Sequence, residues 1–433
     1  VLSLEISISM VEMWLPYGKS EVHLTVPIND LAGVIKPNPS PRVQEPKQEI
    51  TRSLEKNLEL IGFKPDSRVA IAVDGLMEPN LAVTAVSALV EKLSGSISKE
   101  GIVIVIGSGF REKGNPELRR MIQSNIELGS ITVEEHLPSS ENVVNVGQIG
   151  GKTDVEINHR YASSEIKISI GEFNPDPYTG FSGAHRAIIP GICSLKTLEA
   201  IRIKAFENNV APGIVEGNPI LGDTFEAVNL AGNDFAINLV TNPQGGLIKA
   251  YSGNLEDSWR NALAEFGSSF NVKIEVDADV VVVSAGGIRF DFSLYQSIWS
   301  LRNIRQIVRK GTMIVLLAEC SEGLGAEGFI KLAHINILNE FKRRYILGAE
   351  SVHLIKNILK TNEVILVSAL PKTFIEPLGL KMANTANEAL KLAVEERRRK
   401  KTVLVTHGCY TLPILEREEN DESQSHHRKV DKE

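Results

Sequence analysis

The chain alternates short, unbroken apolar runs with stretches of helical spacing. Residues 67–75 (SRVAIAVDG), 101–109 (GIVIVIGSG), 166–170, 278–287 (ADVVVVSAGG), 311–325 (GTMIVLLAECSEGLG), 362–370 and 401–408 each carry a Val/Ile/Leu-rich run. Runs of this kind read as strands buried on both faces, as in parallel sheets covered by helices. Helical patterns fall between them, over 50–61, 80–93, 116–126, 197–206, 294–308 and 383–398. The alternation predicts βαβ units, and so an α/β protein with mainly parallel sheets. The theme occurs twice, on either side of residues 235–275, which predicts two α/β domains, 1–260 and 261–415. Other stretches are less regular. Residues 22–26 alternate like a short strand, the proline-rich 37–46 read as a strap, and 131–162 as a crossing segment. The polar tail, 416–433, predicts disorder, His426 and His427 included.

Ligands of parallel sheets sit beyond the carboxyl ends of the strands, which puts Asp74, Ser108 and Arg111 on a candidate rim. Asp74 also fits the plainer role of a cap or turn residue. The stretch 170–202, IGEFNPDPYTGFSGAHRAIIPGICSLKTLEAIR, leaves a strand, breaks into a Gly/Pro loop and carries the polar knot Ser182-Gly183-Ala184-His185-Arg186. Glycines admit close backbone approach to a ligand, though an ordinary strand–loop–helix connection has the same look.

Composition narrows the classes. The 433 residues are enough for two or three domains of roughly 150 each. A net charge of −7 argues against nucleic acid as the main partner, which would need a basic face. Cys193, Cys320 and Cys409 are far apart and odd in number, pointing to reduced thiols in a cytoplasmic protein rather than a disulfide framework. No apolar run approaches the ~18 residues of a membrane span. The first ten residues lack the charged start of a signal peptide and read as a strand.

Five motifs in order, LPYG (15–18), FSGAHRAIIPGI (181–192), EGNP (216–219), AGGIRFDFSLYQ (285–296) and AECSEGLG (318–325), resemble the nickel-dependent lactate racemase family. The resemblance spans roughly residues 13–410. It implies two α/β domains with the active-site cleft between them. It also implies a nickel pincer nucleotide, tethered to a lysine, that takes hydride from a 2-hydroxy acid and returns it to either face.

Carried over position by position, the resemblance puts the tethering lysine at Arg186, a catalytic histidine at Asp176 and the nickel-binding histidine at Arg202. The second catalytic histidine falls on Phe110, the substrate-binding arginine on Met77, and a lysine of the second domain on Trp299. Asp74 and Leu294-Tyr295-Gln296 keep the family's residues. A guanidinium is not a usable amine for a thioamide tether, and it is not a nickel ligand.

The expectation is therefore an isomerase (racemase or epimerase) on a 2-hydroxy acid or sugar acid with an altered, nickel-independent site. Asp176, His185 and Arg186 are its catalytic candidates. Asp74, Arg111, Arg202, Tyr295, Gln296 and Trp299 are its substrate contacts, and no metal ligand is assigned. Clustered arginines suit an anionic small molecule such as a hydroxy acid, sugar acid or phosphorylated metabolite. Asp74, Glu78, Glu172 and Asp176 could instead close the cleft as ion pairs. Two alternatives stay open: a non-catalytic anion-binding relative, and a lyase or dehydratase holding a divalent metal on those carboxylates.

Overall fold

The structure, a computed structural model, describes residues 9–55, 57–108, 111, 114–127, 129–395 and 400–416. Two six-stranded sheets organise the chain, as the apolar runs predict. The first has the order Leu247–Gly253, Phe235–Thr241, Ile166–Phe173, Val69–Val73, Ile102–Gly107, Thr132–His136. Only its Leu247–Gly253 edge is antiparallel. Every residue of Val69–Val73 and Ile102–Gly107 is buried, because helices cover both faces. One of these, Pro79–Leu93, starts where Glu78 caps the Leu81 N–H and Pro79 supplies a preset first turn. It buries Leu81, Ala85 and Leu89, one stripe at helical spacing.

The second sheet runs Lys381–Ala383, Glu363–Val367, Met313–Leu317, Val280–Ser284, Thr402–Val405, Leu31–Ile35, parallel throughout. Its last strand departs from the 1–260 division. Residues 31–35 complete the second sheet, and the hairpin Met10–Tyr17/Ser20–Pro27 buries Leu15, Leu24 and Val26 against Val280, Val282 and Leu404. The strand is too short and its alternation too weak to announce a partner some 370 residues away, so pairing alone decides it. The proline-rich strap then carries the chain to the first sheet, with the Val43 N–H on the Leu247 carbonyl.

Other expectations shift locally. The helix expected over 294–308 is broken into Leu294–Ser297, Trp299–Asn303 and a 3-10 turn, Ile304–Ile307. The hydroxyls of Ser297 and Ser300 bond back to the carbonyls of Ser293 and Ser297, each at 2.7 Å, a habit that bends helices. The crossing segment 131–162 supplies the edge strand Thr132–His136 and the hairpin Val143–Ile149/Thr153–Asn158. The N-terminal residues 1–8 and the tail beyond Glu416, with His426 and His427, lie outside the described residues. Among the described residues no helix is long and apolar enough to cross a membrane.

Candidate functional site

In the first sheet the strand order reverses at Val69–Val73: later strands run to one side, and Ile166–Phe173 returns on the other. Such a reversal opens a crevice beyond the two carboxyl ends. Asp74 leaves the first strand, Glu172 lies near the end of the second, and the loop after it folds back over the crevice. Pro175-Asp176 pairs antiparallel with Gly180-Phe181, and Asp176 accepts the N–H groups of Tyr178 and Thr179 at 2.9 Å each. Gly171 is required there, since a Cβ would collide with the Gly183 carbonyl.

The charges inside are mutually satisfied. Arg186 donates its Nε–H to Asp74 at 2.7 Å and stands 3.7 Å from Asp176, all three side chains being buried. Asp74 also accepts the Leu76 N–H at 3.0 Å, the turn role the sequence allowed. Arg202 ends the helix Leu195–Arg202 and lays its guanidinium 3.4 Å from the Tyr178 ring centroid. The hydroxyls of Tyr178, Tyr295 and Tyr345 converge on Glu350 at 3.0, 2.8 and 2.8 Å. Glu172 accepts the Glu78 N–H at 2.6 Å, the Asn174 amide at 2.9 Å and the guanidinium of Arg289. Arg289 itself donates to the carbonyls of Asn242 and Pro243, so it stitches the second sheet's loop onto the first.

Burial tunes these groups unequally. It pushes the Asp74 carboxyl up, and Arg186 only partly offsets it. For Asp176 burial is overcome by Arg202, Arg186 and the two N–H donors, so its carboxyl is held below the usual range. Burial would lower Arg202, yet Tyr295, Tyr178, Asp176 and Glu350 hold it above its ordinary value. His185 is wholly buried among Phe225 and Trp259, and burial drops its pKa to about 4. Neither of its ring nitrogens has a hydrogen-bond partner among the described residues.

Asp176, His185, Arg186 and Arg202 share one cavity of about 20 Å³. Arg186, Gln296 and Trp299 share a second of about 10 Å³ with Glu172 and Arg289. Each has room for one water at most. Trp299 stands edge-on to Tyr178 and Tyr295, its ring centroid 5.9 and 6.4 Å from theirs.

Of the candidates, Asp74, Asp176, His185, Arg186 and Arg202 thus come together, and Tyr295, Gln296 and Trp299 border them. Arg111 is turned elsewhere. Its Nε–H faces both Glu322 oxygens at 3.1 Å, its Nη1 reaches the Gly75 carbonyl, and its plane covers Phe292. Phe110 lies outside the described residues. Sequence reasoning missed Tyr178, Arg289, Glu322, Tyr345 and Glu350. Tyr178, two residues from Asp176, was within reach, and Arg289 and Glu322 lie in quoted motifs at positions given no role; Tyr345 and Glu350 lie in ordinary amphipathic or loop surroundings.

These residues do not fit a lysine-tethered nickel pincer nucleotide. Position 186 offers a guanidinium already committed to Asp74, and position 202 offers another laid on a tyrosine ring. Among the described residues no three His, Cys, Asp or Glu side chains converge as a metal set, so the acidic cluster expected to hold a divalent cation does not assemble. Glu78 caps a helix, and the other three carboxylates take N–H groups and guanidiniums instead.

Residues 17–211 match the lactate racemase N-terminal domain and residues 273–410 the lactate racemase C-terminal domain. Lactate racemase of Thermoanaerobacterium thermosaccharolyticum is 24% identical over 404 residues, covering 89% of this chain and 94% of its own. That of Lactiplantibacillus plantarum is 24% identical over 422 residues, covering 92% and 99%. The solved lactate racemase apoprotein of T. thermosaccharolyticum superposes with a TM-score of 0.79 at 21% identity, over 93% of this chain and 100% of that one. A Thermotoga maritima protein follows at 0.66 and 14% identity, over 88% and 100%. With both family domains matched in order, over residues 17–211 and 273–410, the chain belongs to the lactate racemase family.

Proposed function

We propose that this protein recognises a small 2-hydroxy acid at the buried crevice around Asp176 without the nickel-pincer hydride reaction. The observation that carries this is the position of Asp176. Its carboxylate borders one small cavity with two buried guanidiniums, Arg186 at 3.7 Å and Arg202 as the largest charge holding it ionised. The site has the complementarity of a carboxylate clamp, with a carboxylate of the chain itself in it. The choice of a 2-hydroxy acid comes from the family, whose relatives are named lactate racemases. A ligand of that size needs more room than about 20 Å³, so binding requires the Asp176 loop to swing out.

The test compares wild type with Asp176→Asn. Removing the resident charge leaves both arginines in place, and D- or L-lactate should bind the variant about tenfold more tightly, a change of about 1.4 kcal/mol. Lactate that binds neither protein at millimolar concentration overturns the proposal. So does a nucleotide adduct with stoichiometric nickel in the intact mass and metal content.

A second reading, an acid–base isomerase, is favoured by His185, whose two unpartnered nitrogens lie on the same cavity as Asp176. It predicts slow racemisation of one lactate enantiomer with solvent deuterium entering at the α-carbon, since proton transfer exchanges with water and returned hydride does not. Unchanged enantiomeric purity and no deuterium would eliminate it.

A further inference from the structure

The second sheet has a strand-order reversal of its own. Met313–Leu317, Glu363–Val367 and Lys381–Ala383 lie to one side of Val280–Ser284, while Thr402–Val405 and then Leu31–Ile35 lie to the other. The crevice rule that located Asp74 and Glu172 points equally to the loops after Ser284 and Val405. An open cleft of about 670 Å³ stands there, inside the ~300–1,000 Å³ range of small-molecule sites. Gly287 follows one strand, His407 the other and Lys36 the edge strand, while the hairpin Met10–Tyr17/Ser20–Pro27 closes the side with Trp14 and Lys19.

The chemistry of this lining is unlike the rest of an acidic chain. Lys19 and Lys36 are exposed and have no carboxylate partner among the described residues, and Glu21 is the one carboxylate in the wall. Arg289 forms the inner wall, but its charge is spent on Glu172. Two uncommitted ammonium groups match a dianion, and lysine serves phosphate well as a point charge. Trp14 is 59% exposed, with His23 against it at 5.0 Å, which leaves a ring surface open to a ligand. Gln244, Ser20 and Ser40 add amide and hydroxyl groups suited to a polyol rather than to an apolar ring.

We propose that this cleft binds a sugar phosphate, with the phosphate held by Lys19 and Lys36 and the sugar ring lying on Trp14. The site uses none of the residues assigned to the 2-hydroxy acid, so either assignment can fail alone. Trp259 and Trp299 are 0% and 3% exposed, so quenching of tryptophan fluorescence by an added ligand reports Trp14.

The full chain is titrated with ribose 5-phosphate, and separately with ribose and inorganic phosphate. The expected result is quenching and thermal stabilisation with ribose 5-phosphate, stabilisation alone with phosphate, and neither with ribose. Affinity should fall in high salt. Reversing both charges, Lys19→Glu with Lys36→Glu, is tolerated structurally because both side chains are exposed, and should cost at least about tenfold in affinity. The proposal is overturned by no response to ribose 5-phosphate at millimolar concentration. It is overturned equally by a response the charge reversal leaves intact, or by ribose quenching as well as its phosphate.

Discussion

Replacing His185 by phenylalanine tests the interior of the site most directly. The imidazole is fully buried, packs on Phe225 and Trp259, and has no partner for either nitrogen among the described residues. Burial depresses its pKa from 6.5 to about 4, so it stays neutral in the folded chain while the unfolded chain takes up a proton below pH 6.5. Stability contributed this way is complete above pH 6.5 and is lost as the pH falls toward 4. At 1.36 kcal/mol for each pH unit the whole displacement is worth about 3 kcal/mol, of which about 2 kcal/mol has gone by pH 5. Phenylalanine keeps the aromatic packing, removes two unsatisfied nitrogens and can expand into the adjoining cavity of about 20 Å³. The variant should lie within about 1 kcal/mol of wild type at pH 7 and be about 2 kcal/mol less sensitive to acidification to pH 5. Urea unfolding at the two pH values measures both. Identical pH dependence in the two proteins would refute the reasoning, because the histidine would then titrate in the folded chain as it does in water. His353 and His407, also lowered to about 4, act in the same direction in both proteins and cancel from the comparison.

Three further outcomes separate the buried network from its rim. Arg186→Ala strands Asp74 without its guanidinium, leaves Asp176 to Arg202 alone, and should cost about 3–5 kcal/mol in urea unfolding, with Asp74→Ala in the same chain recovering part of the loss. Glu350→Ala removes the acceptor of three tyrosine hydroxyls and should cost at least about 3 kcal/mol, whereas Glu350→Gln, which keeps an acceptor oxygen, should cost less. Arg111→Ala breaks a pair whose carboxylate, Glu322, is 46% exposed, and should cost about 1 kcal/mol, most of it from the Phe292 stack.

The sequence by itself determined the α/β class, because fully apolar strands have nowhere to go but the middle of a helix-covered sheet. It also fixed the side chains at positions 186 and 202 as guanidiniums, wherever the chain puts them. Asp74 was singled out because it follows a strand end, where sheets open, whereas Asp176 came from the family resemblance and His185 from the polar knot after the Gly/Pro loop. Tertiary structure alone decided the rest. Leu31–Ile35 joins the second sheet through a pairing that no local pattern encodes. Arg111 looks like a third anion-binding arginine until Glu322, over two hundred residues away, claims it. Glu350 sits in an unremarkable stretch and Arg289 at an unassigned position of a motif, and they matter because folding brings three phenols to one and Glu172 to the other. Backbone pattern follows from solvation of neighbouring residues and can be read locally, whereas the partner of a charge depends on which distant segment arrives beside it.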